Sequence, residues 1–179
     1  AFNEHLKNAK KPMLVLGEDA IIREDGAQIL NLAKQIAKKY NFVQDNFNGF
    51  NFLSKSSGLI NGLELDFTSS IGINKILQKA KNKELKVIFL LGVDDSIDFE
   101  ALKNCFVVYI GSHGDLGARN ADLILPAATY AEKEATYINL EGRPQQTARV
   151  VFAPQDAKED FAIILEIASQ LGINLGFKN

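Results

Sequence analysis

Three apolar stretches of the sequence each end in a glycine that is followed by small or acidic residues. These junctions are Gly17-Glu18-Asp19, Gly92-Val93-Asp94-Asp95 and Gly111-Ser112-His113-Gly114. Glycine allows a ligand to approach the backbone closely, and an acid just beyond it could accept hydrogen bonds from a ribose or an amine. The alternative is that the junctions are tight strand-to-helix turns, whose acids begin the next helix.

The loop after the third stretch carries Gly111, Gly114 and Gly117. This G-x-x-G-x-x-G spacing misses the dinucleotide fingerprint G-x-G-x-x-G, and no G-x-x-x-x-G-K-[ST] motif occurs in the sequence, so nucleotide binding has no specific support. His113 could act as an acid or a base near neutral pH. Because no partner for its ring is visible, we interpret His113 as a turn residue.

Cysteine and histidine are too scarce for a metal centre within this sequence. There is one cysteine and there are two histidines, whereas an iron–sulfur cluster needs about four thiolate ligands. Cys105 opens an apolar stretch and is interpreted as a core residue. Since no G-x-S-x-G turn or helical metal-binding histidine pair is present either, we predict no catalytic residue and no metal ligand.

The segment from Glu132 to Gln146 combines a short strand signal with a turn. Thr136-Tyr137-Ile138 suits a strand, and Glu141-Gly142-Arg143-Pro144 supplies the turn after it. A network of charge-assisted hydrogen bonds could lock this loop against a sheet edge. Its members would be Glu132, Asn139, Glu141 and Arg143. The alternative is a solvated hairpin with unrelated charges.

The elements that must position these residues follow from hydrophobic patterning. Four apolar runs do not alternate with polar residues, so both faces should be buried, as in a parallel sheet covered by helices. The runs are Met13–Leu16, Val87–Leu91, Phe106–Ile110 and Leu123–Leu125. Helical spacing lies between them, which predicts an α/β, doubly wound, mostly parallel sheet with helices on both faces.

Three apolar stripes predict the main helices. Their residues are Ile29, Ala33, Ile36, Ala37 and Tyr40; Ile73, Ile76, Leu77 and Ala80; and Phe161, Ile164, Leu165, Ala168 and Leu171. The third helix is predicted to begin at Asp156, with Glu159 three residues on, and to stop at Gly172. Residues 42–67 and 127–154 are predicted to be irregular insertions that carry contacts or ligands.

Length and composition place limits on the function. The 179 residues are 46% hydrophobic and 23% charged, which is typical of a globular domain. A net charge of −2 provides no basic field for nucleic acid, and no apolar run reaches the ~20 residues needed to cross a bilayer. We expect a linker over residues 1–12, a domain over 13–172, a tail over 173–179, and an origin as part of a longer polypeptide.

One part of the sequence resembles the molybdopterin oxidoreductase family. In that family an Ala-Asp-x-x-Leu-Pro run leads into Glu-Lys, then Thr, Asn and Glu-Gly-Arg. The matching residues here are Ala121, Asp122, Leu125, Pro126, Glu132, Lys133, Thr136, Asn139, Glu141, Gly142 and Arg143.

Further stretches narrow the resemblance to one branch of that family. Pro12-Met13, Gly17, Arg23 to Ala27 and Asn48 to Leu53 are similar to the large iron–sulfur subunits of NADH-quinone oxidoreductase, respiratory complex I, which are known as G or 75 kDa subunits. They are less similar to formate dehydrogenase or nitrate reductase. The resemblance spans about Pro12 to Gln146.

The resemblance implies a fragment of the molybdopterin oxidoreductase-like, Rossmann-type domain of such a subunit. The parent complex would be a proton-translocating NADH:quinone oxidoreductase, in which electrons pass from NADH through iron–sulfur clusters to quinone. Those 4Fe-4S and related clusters would belong to the full-length subunit, and the fragment would be a non-catalytic scaffold without a cofactor.

The implied partners and location follow from the same resemblance. The partners would be other subunits of the complex I peripheral arm, with no nucleic acid and no direct membrane insertion. The complex would lie on the cytoplasmic side of the bacterial inner membrane, or on the matrix side in mitochondria.

In the enzyme relatives a crevice at the strand ends holds a pterin dinucleotide, so the resemblance implies a vestigial pocket here. It would be lined by Gly17, Gly92, Asp94 and Ser112. Two departures stand out: Gly117 to Asn120 replace the usual Glu-Thr-Ala, and Ala135 replaces a usual glycine. The alternative function is the cofactor-binding portion of a molybdopterin-dependent oxidoreductase such as formate dehydrogenase.

Overall fold

The computed structural model describes residues 2–95 and 97–177, which form two compact units. The first unit comprises Ala1–Phe67 and Tyr137–Gln145, and the second comprises Thr68–Thr136 and Gln146–Asn179. Both are built on parallel sheets with helices, so the α/β class expected from the sequence is confirmed.

The first unit contains a two-stranded parallel sheet. Its elements are α1 (Phe2–Asn8), β1 (Leu14–Gly17), α2 (Glu18–Ile21), α3 (Gly26–Lys39), β2 (Val43–Gln44), β3 (Phe47–Asn48), β4 (Phe50–Leu53) and α4 (Leu59–Glu64). Strand β1 pairs in parallel with β4, from Leu14 opposite Phe50 to Gly17 opposite Leu53. Helix α1 lies within the predicted linker, and the linker itself stays a prediction.

The second unit contains a three-stranded parallel sheet in the order β5-β6-β7. Its elements are α5 (Gly72–Lys81), β5 (Val87–Leu91), α6 (Phe99–Leu102), β6 (Phe106–Gly111), α7 (Leu116–Arg119), β7 (Leu123–Pro126) and α8 (Asp160–Gln170). Strands β8 (Thr136–Ile138) and β9 (Pro144–Gln146) pair with each other, and the residues between them belong to the first unit.

Alternate residues of β6 face two separate clusters in the second unit. Val107 and Tyr109 pack with Ala80 of α5 and Leu102 of α6. Val108 and Ile110 pack with Ile163 of α8 and with Ala127. Successive side chains of a strand point to opposite faces, so helices lie on both sides of this sheet.

The burial expected for all four apolar runs is wrong for three of them. Strand β6 is buried through Val107–Ile110, because helices cover both of its faces. Val15 of β1, Phe89 of β5 and Ile124 of β7 remain exposed, since these strands lie at sheet edges with helices over only part of their surface.

Two further expectations are corrected. Residues 42–67 hold strands β2, β3 and β4 and helix α4, so this region is not irregular. The C-terminal helix begins at Asp160 rather than after Asp156. The reason is that Lys158 is bonded to the end of β7: its N–H donates to Pro126 (3.1 Å), and its carbonyl accepts from Ala128 (2.8 Å). The stop at Gly172 is confirmed, with φ of +72°.

Candidate functional site

A cavity of about 310 Å³ lies at the carboxyl ends of β6 and β7 in the second unit. Its polar lining includes Ser112, His113, Thr129, Glu132 and Asp156. The ends of parallel strands are where open α/β sheets bind ligands. The cavity therefore brings together Ser112, a predicted pocket residue, and Glu132, a predicted member of the loop network.

The polar groups of this cavity are largely engaged with their neighbours. The Ser112 hydroxyl lies 2.9 Å from Nδ1 of His113, and the Glu132 carboxylate accepts the backbone N–H of Thr129 at 3.0 Å. Glu132 thus acts on its own loop, because a carboxylate that accepts a backbone N–H fixes the turn that follows β7. His113 is exposed, as the turn interpretation expects.

The ring of Tyr109 explains why two of the three glycine positions at the end of β6 and in the loop after it have no side chain. A Cβ at Gly111 would lie 2.3 Å from Cζ of Tyr109, and a Cβ at Gly117 would lie 2.3 Å from its Cε2. Any larger residue would overlap the ring at both positions. A Cβ at Gly114 would meet nothing within 4 Å. The glycine spacing therefore accommodates an aromatic ring of the protein itself.

The hydroxyl of Tyr109 joins a cluster of acids at the same strand ends. Only 3% of Tyr109 is exposed, and its hydroxyl donates to Asp115 at 2.9 Å. Burial, the hydrogen bond to Asp115 and the charges of Asp115 and Asp94 together raise the pKa of Tyr109 to about 12. The tyrosine is therefore neutral at physiological pH and acts as a donor.

Asp94, a predicted pocket residue, completes this cluster. Its carboxylate accepts the backbone N–H of Gly117 at 3.1 Å, at the start of α7. Desolvation raises the pKa of Asp115, but hydrogen bonding, including the bond it accepts from the Tyr109 hydroxyl, outweighs this and holds the pKa below that of an ordinary carboxyl group. The acid after β5 is thus bound by the protein's own backbone.

Gly92 lies in the turn that follows β5, and Gly17 is the last residue of β1. Gly92 has φ of +59°, a conformation that favours glycine, and its N–H donates to Ile110 at 2.7 Å. Gly17, in the first unit, precedes α2, and a Cβ there would meet nothing within 4 Å. The structure describes Gly17 in one unit and Gly92, Asp94 and Ser112 in the other.

The acids that follow Gly17 bind the loop that follows β4. The Glu18 carboxylate accepts the N–H of Lys55 at 2.6 Å and the hydroxyl of Ser54 at 2.9 Å. These two hydrogen bonds hold the pKa of Glu18 below its ordinary value. Asp19 forms an exposed ion pair with Lys55 at 2.6 Å. Glu18 and Asp19 therefore stabilise the loop after β4 in their own unit.

The turn between β8 and β9 is organised by one carboxamide. Oδ1 of Asn139 accepts the N–H groups of Glu141 (3.0 Å) and Arg143 (2.9 Å), and Gly142 between them has φ of +77°. The side chains of Glu141 and Arg143 are exposed. Asn139 therefore brings together the backbones of three of the predicted network residues, while Glu132 holds a turn of the second unit.

Sequence reasoning missed the roles of Tyr109 and Asp122. The Asp122 carboxylate accepts the N–H of Val107 at 2.8 Å, and its own N–H donates to the Val107 carbonyl at 2.9 Å. This fixes where β7 starts beside β6. A tyrosine within a buried apolar run was an available signal, because a buried hydroxyl requires a hydrogen-bond partner.

The strand-end residues do not fit a pterin dinucleotide, which carries an anionic pyrophosphate. Asp94 and Asp115 lie at these strand ends, Glu132 and Asp156 line the cavity, and the described residues of its lining include no lysine or arginine. A cluster of carboxylates repels an anion. The Gly117 N–H at the start of α7, which could otherwise bind phosphate, is occupied by Asp94.

Neither a metal centre nor a membrane span is found in the part of the chain that the structure describes. Across residues 2–95 and 97–177, no group of three or more histidine, cysteine or acidic side chains is arranged to hold a metal ion. In the same ranges, no helix has the length and apolar character needed to span a bilayer.

Comparison with known proteins gives consistent matches along the chain. The family model for molybdopterin oxidoreductase matches residues 1–170. The chain is 43% identical to the G subunit of an NADH-quinone oxidoreductase of Rickettsia felis and 40% identical to that of Rickettsia prowazekii, over 99% of its length. It is 38% identical to an NADH-ubiquinone oxidoreductase 75 kDa subunit of Reclinomonas americana, over 98%. It spans 25% of the length of each of these relatives.

Proposed function

The chain belongs to the molybdopterin oxidoreductase family, and from this premise we propose that it is a non-catalytic scaffold domain in the iron–sulfur subunit of an NADH-quinone oxidoreductase. Its role there is to support electron transfer from NADH to quinone by the full complex. The names of relatives that match along 99% of the chain support this assignment.

The proposal rests on one observation: side chains of the protein itself occupy the hydrogen-bonding groups and the space at the carboxyl ends of its strands. Asp94 accepts the Gly117 N–H, and Tyr109 fills the space beside Gly111 and Gly117 and donates to Asp115. A site that binds a cofactor keeps such donors and such space available for the ligand. That Gly17, Gly92, Asp94 and Ser112 are remnants of an ancestral cofactor site stays a prediction from the resemblance.

The finer points of architecture belong to the same proposal. We infer a doubly wound sheet in the parent domain, which is supported by α5 and α6 on one face of β6 and α8 on the other. The family match runs through both units. The match supports a molybdopterin oxidoreductase-like domain that includes residues of both units. The domain limits of 13–172, the linker at 1–12 and the tail at 173–179 stay predictions.

Cofactors, partners and location are proposed from the relatives. Iron–sulfur clusters lie in the full-length subunit, and the partners are other subunits of the peripheral arm. The complex is a proton-translocating assembly at the cytoplasmic face of the bacterial inner membrane, or at the matrix face in mitochondria. The names of the G-subunit relatives support membership of an NADH-quinone oxidoreductase complex. The clusters, the peripheral arm and the membrane face stay predictions from the resemblance.

The experiment uses the native complex that contains the full-length subunit, with Glu132→Gln and Ser112→Ala as variants. We expect bound pterin well below one per complex, measured by the fluorescence of its oxidised form. We also expect NADH-dependent quinone reduction per assembled complex to stay within about twofold of wild type, because neither side chain meets a reacting group.

The alternative is the cofactor-binding portion of a molybdopterin-dependent oxidoreductase, and the cavity at Ser112 and Glu132 is the observation that favours it. One pterin per complex would establish it, as would a loss of turnover in Glu132→Gln at unchanged assembly. Glu134→Gln is the matched control, since this exposed side chain does not line the cavity.

We further propose that Glu132, Asn139, Glu141 and Arg143 brace the loop inherited from an enzyme ancestor. Asn139→Ala is expected to raise hydrogen exchange at residues 139–143, because two backbone N–H groups lose their acceptor. Asn139→Asp, which keeps an acceptor, is the control. If Asn139→Ala leaves exchange at these amides unchanged, the bracing role is wrong.

A further inference from the structure

Helix α4 of the first unit is short and has little support of its own. It spans six residues, Leu59–Glu64, and none of them is buried. No side chain caps its start at Gly58, and Gly62 in its interior disfavours a helix relative to alanine. Helices shorter than about 12 residues are marginal in water. Contacts with other elements must therefore hold α4 in its helical form.

One such contact comes from the hairpin of β8 and β9. The N–H of Ile138 in β8 donates to Oδ1 of Asn61 in α4, at 2.7 Å and in a partly buried position. The two residues are 77 positions apart in the sequence, and both belong to the first unit. Ile138 and Leu140 also line one cavity, of about 340 Å³, together with Ile60 of α4. We call residues Tyr137–Gln145 the hairpin tip.

The hairpin tip is ordered by hydrogen bonds of its own. Oδ1 of Asn139 accepts the N–H groups of Glu141 and Arg143, and the Asn139 N–H donates to the Arg143 carbonyl at 3.1 Å. These bonds fix the turn that follows Ile138, so the Ile138 N–H is presented to Asn61 in a defined position. Coupling between two such groups is reciprocal, which makes α4 and the hairpin tip depend on each other.

We propose that the hairpin tip is a strap that keeps α4 helical, and that α4 unfolds locally when the tip moves away. The segment that carries the Asn and Glu-Gly-Arg positions of the family pattern thus stabilises a helix that lies far earlier in the chain. The inference rests on contacts within the first unit. It is therefore independent of the assignment to a respiratory complex.

The test is amide hydrogen exchange, followed by mass spectrometry, in the full-length subunit with Asn61→Ala. The amides that report on α4 are those of Gly62, which donates to Gly58, and of Leu65, which donates to Asn61. Alanine is a better helix former than asparagine, so intrinsic propensity alone predicts slower exchange in α4 of this variant. The strap predicts faster exchange. The direction of the change therefore distinguishes the two.

We expect exchange at the Gly62 and Leu65 amides to rise about fivefold in Asn61→Ala, because the loss of one partly buried hydrogen bond shifts a local opening equilibrium by about that factor. Asn61→Asp, which keeps an oxygen acceptor, is the matched control and should stay within about twofold of wild type. Slower or unchanged exchange in Asn61→Ala would overturn the proposal.

Asn139→Ala tests the strap from the hairpin, since Asn139 lies outside α4. Loosening the tip should speed exchange at Gly62 and Leu65 about threefold as well. Faster exchange at residues 139–143 with α4 unchanged would support the bracing role of Asn139 and overturn the strap. Strand β6 of the second unit is the internal reference. Acceleration in α4 that β6 does not share supports the strap, and equal acceleration in both would mean general unfolding and overturn it.

Discussion

At the scale of single residues, the strand ends of the second unit are shaped by Tyr109. The ring occupies the space that Gly111 and Gly117 leave, and its hydroxyl reaches Asp115. Both glycines are therefore required by packing rather than by a ligand. Gly114 in the same loop faces open space, which makes it an internal comparison.

Gly117→Ala is expected to destabilise the chain by about 1–3 kcal/mol, because the new Cβ would overlap the Tyr109 ring. Gly114→Ala should change the free energy of unfolding by about 0.5 kcal/mol or less, since a Cβ there meets nothing. Urea denaturation monitored by circular dichroism measures both. Equal effects of the two substitutions would contradict the packing role of Tyr109.

Tyr109→Phe removes a buried hydroxyl and its hydrogen bond to Asp115. We expect a loss of about 1–2 kcal/mol in the free energy of unfolding at neutral pH. The pKa of Tyr109 is raised from 10.0 to about 12 by burial and by Asp115, so folding favours the protonated form. The resulting contribution of Tyr109 to the free energy of unfolding is fully present below about pH 10 and is lost as the pH rises towards 12.

The check on this pH dependence is a pair of urea titrations, at pH 8 and near pH 11. The difference in stability between wild type and Tyr109→Phe should shrink at the higher pH. Tyr130, whose side chain is exposed, provides the control Tyr130→Phe. A difference that stays constant would mean that the Tyr109 hydroxyl is not held by this cluster.

At the scale of elements, β6 is the strand around which the second unit is organised. It receives helices on both faces, whereas β5 and β7 receive less cover. Its position relative to β7 is fixed by Asp122, which bonds both backbone groups of Val107. The Ala-Asp-x-x-Leu-Pro run is thus a structural motif in this chain.

Asp122→Ala is expected to cost about 1–3 kcal/mol, because the Val107 N–H loses its acceptor in a partly buried position. Asp122→Asn retains a carbonyl oxygen and should recover much of that loss. Asp45→Ala, at an exposed position, is expected to be near neutral. Thermal unfolding and amide exchange at Val107 report the effect, and a neutral Asp122→Ala would show that β7 is held by packing alone.

At the scale of the whole molecule, the sheet of the second unit has more apolar surface than the helices of that unit cover. Within the second unit, Val87, Phe89 and Leu91 of β5 are about half exposed, and a groove lies between Phe89 and α8. Contiguous apolar surface of this kind marks an interaction site.

Phe89→Asp is expected to destabilise the chain by about 1–2 kcal/mol, because nearly half of a large aromatic side chain is buried there and an acid is disfavoured in a strand. Phe89→Leu keeps an apolar side chain and is the control, with an expected cost of about 1 kcal/mol or less. Urea denaturation measures both variants, and equal effects would contradict a packing role for the Phe89 ring.

The amino-acid sequence by itself determined the α/β class, the strands β1, β5, β6 and β7, and the three longest helices. Val87–Leu91 is a strand with the predicted limits, and the stripes around Ala33, Ala80 and Ala168 lie on helices. Hydrophobic periodicity suffices for this, because it reflects burial along a local element. The loop after β6 and the segment 132–146 were also recognisable from residue type and spacing.

Only the tertiary structure decided which groups those residues meet. Strand β1 pairs with β4, helix α8 starts late at Asp160, and the Tyr109 ring packs against Gly117. Each of these features depends on a contact between two different elements. Such contacts leave no periodic signal. The same is true of Asp94, whose sequence position suggested a ligand and whose carboxylate binds the chain's own helix start.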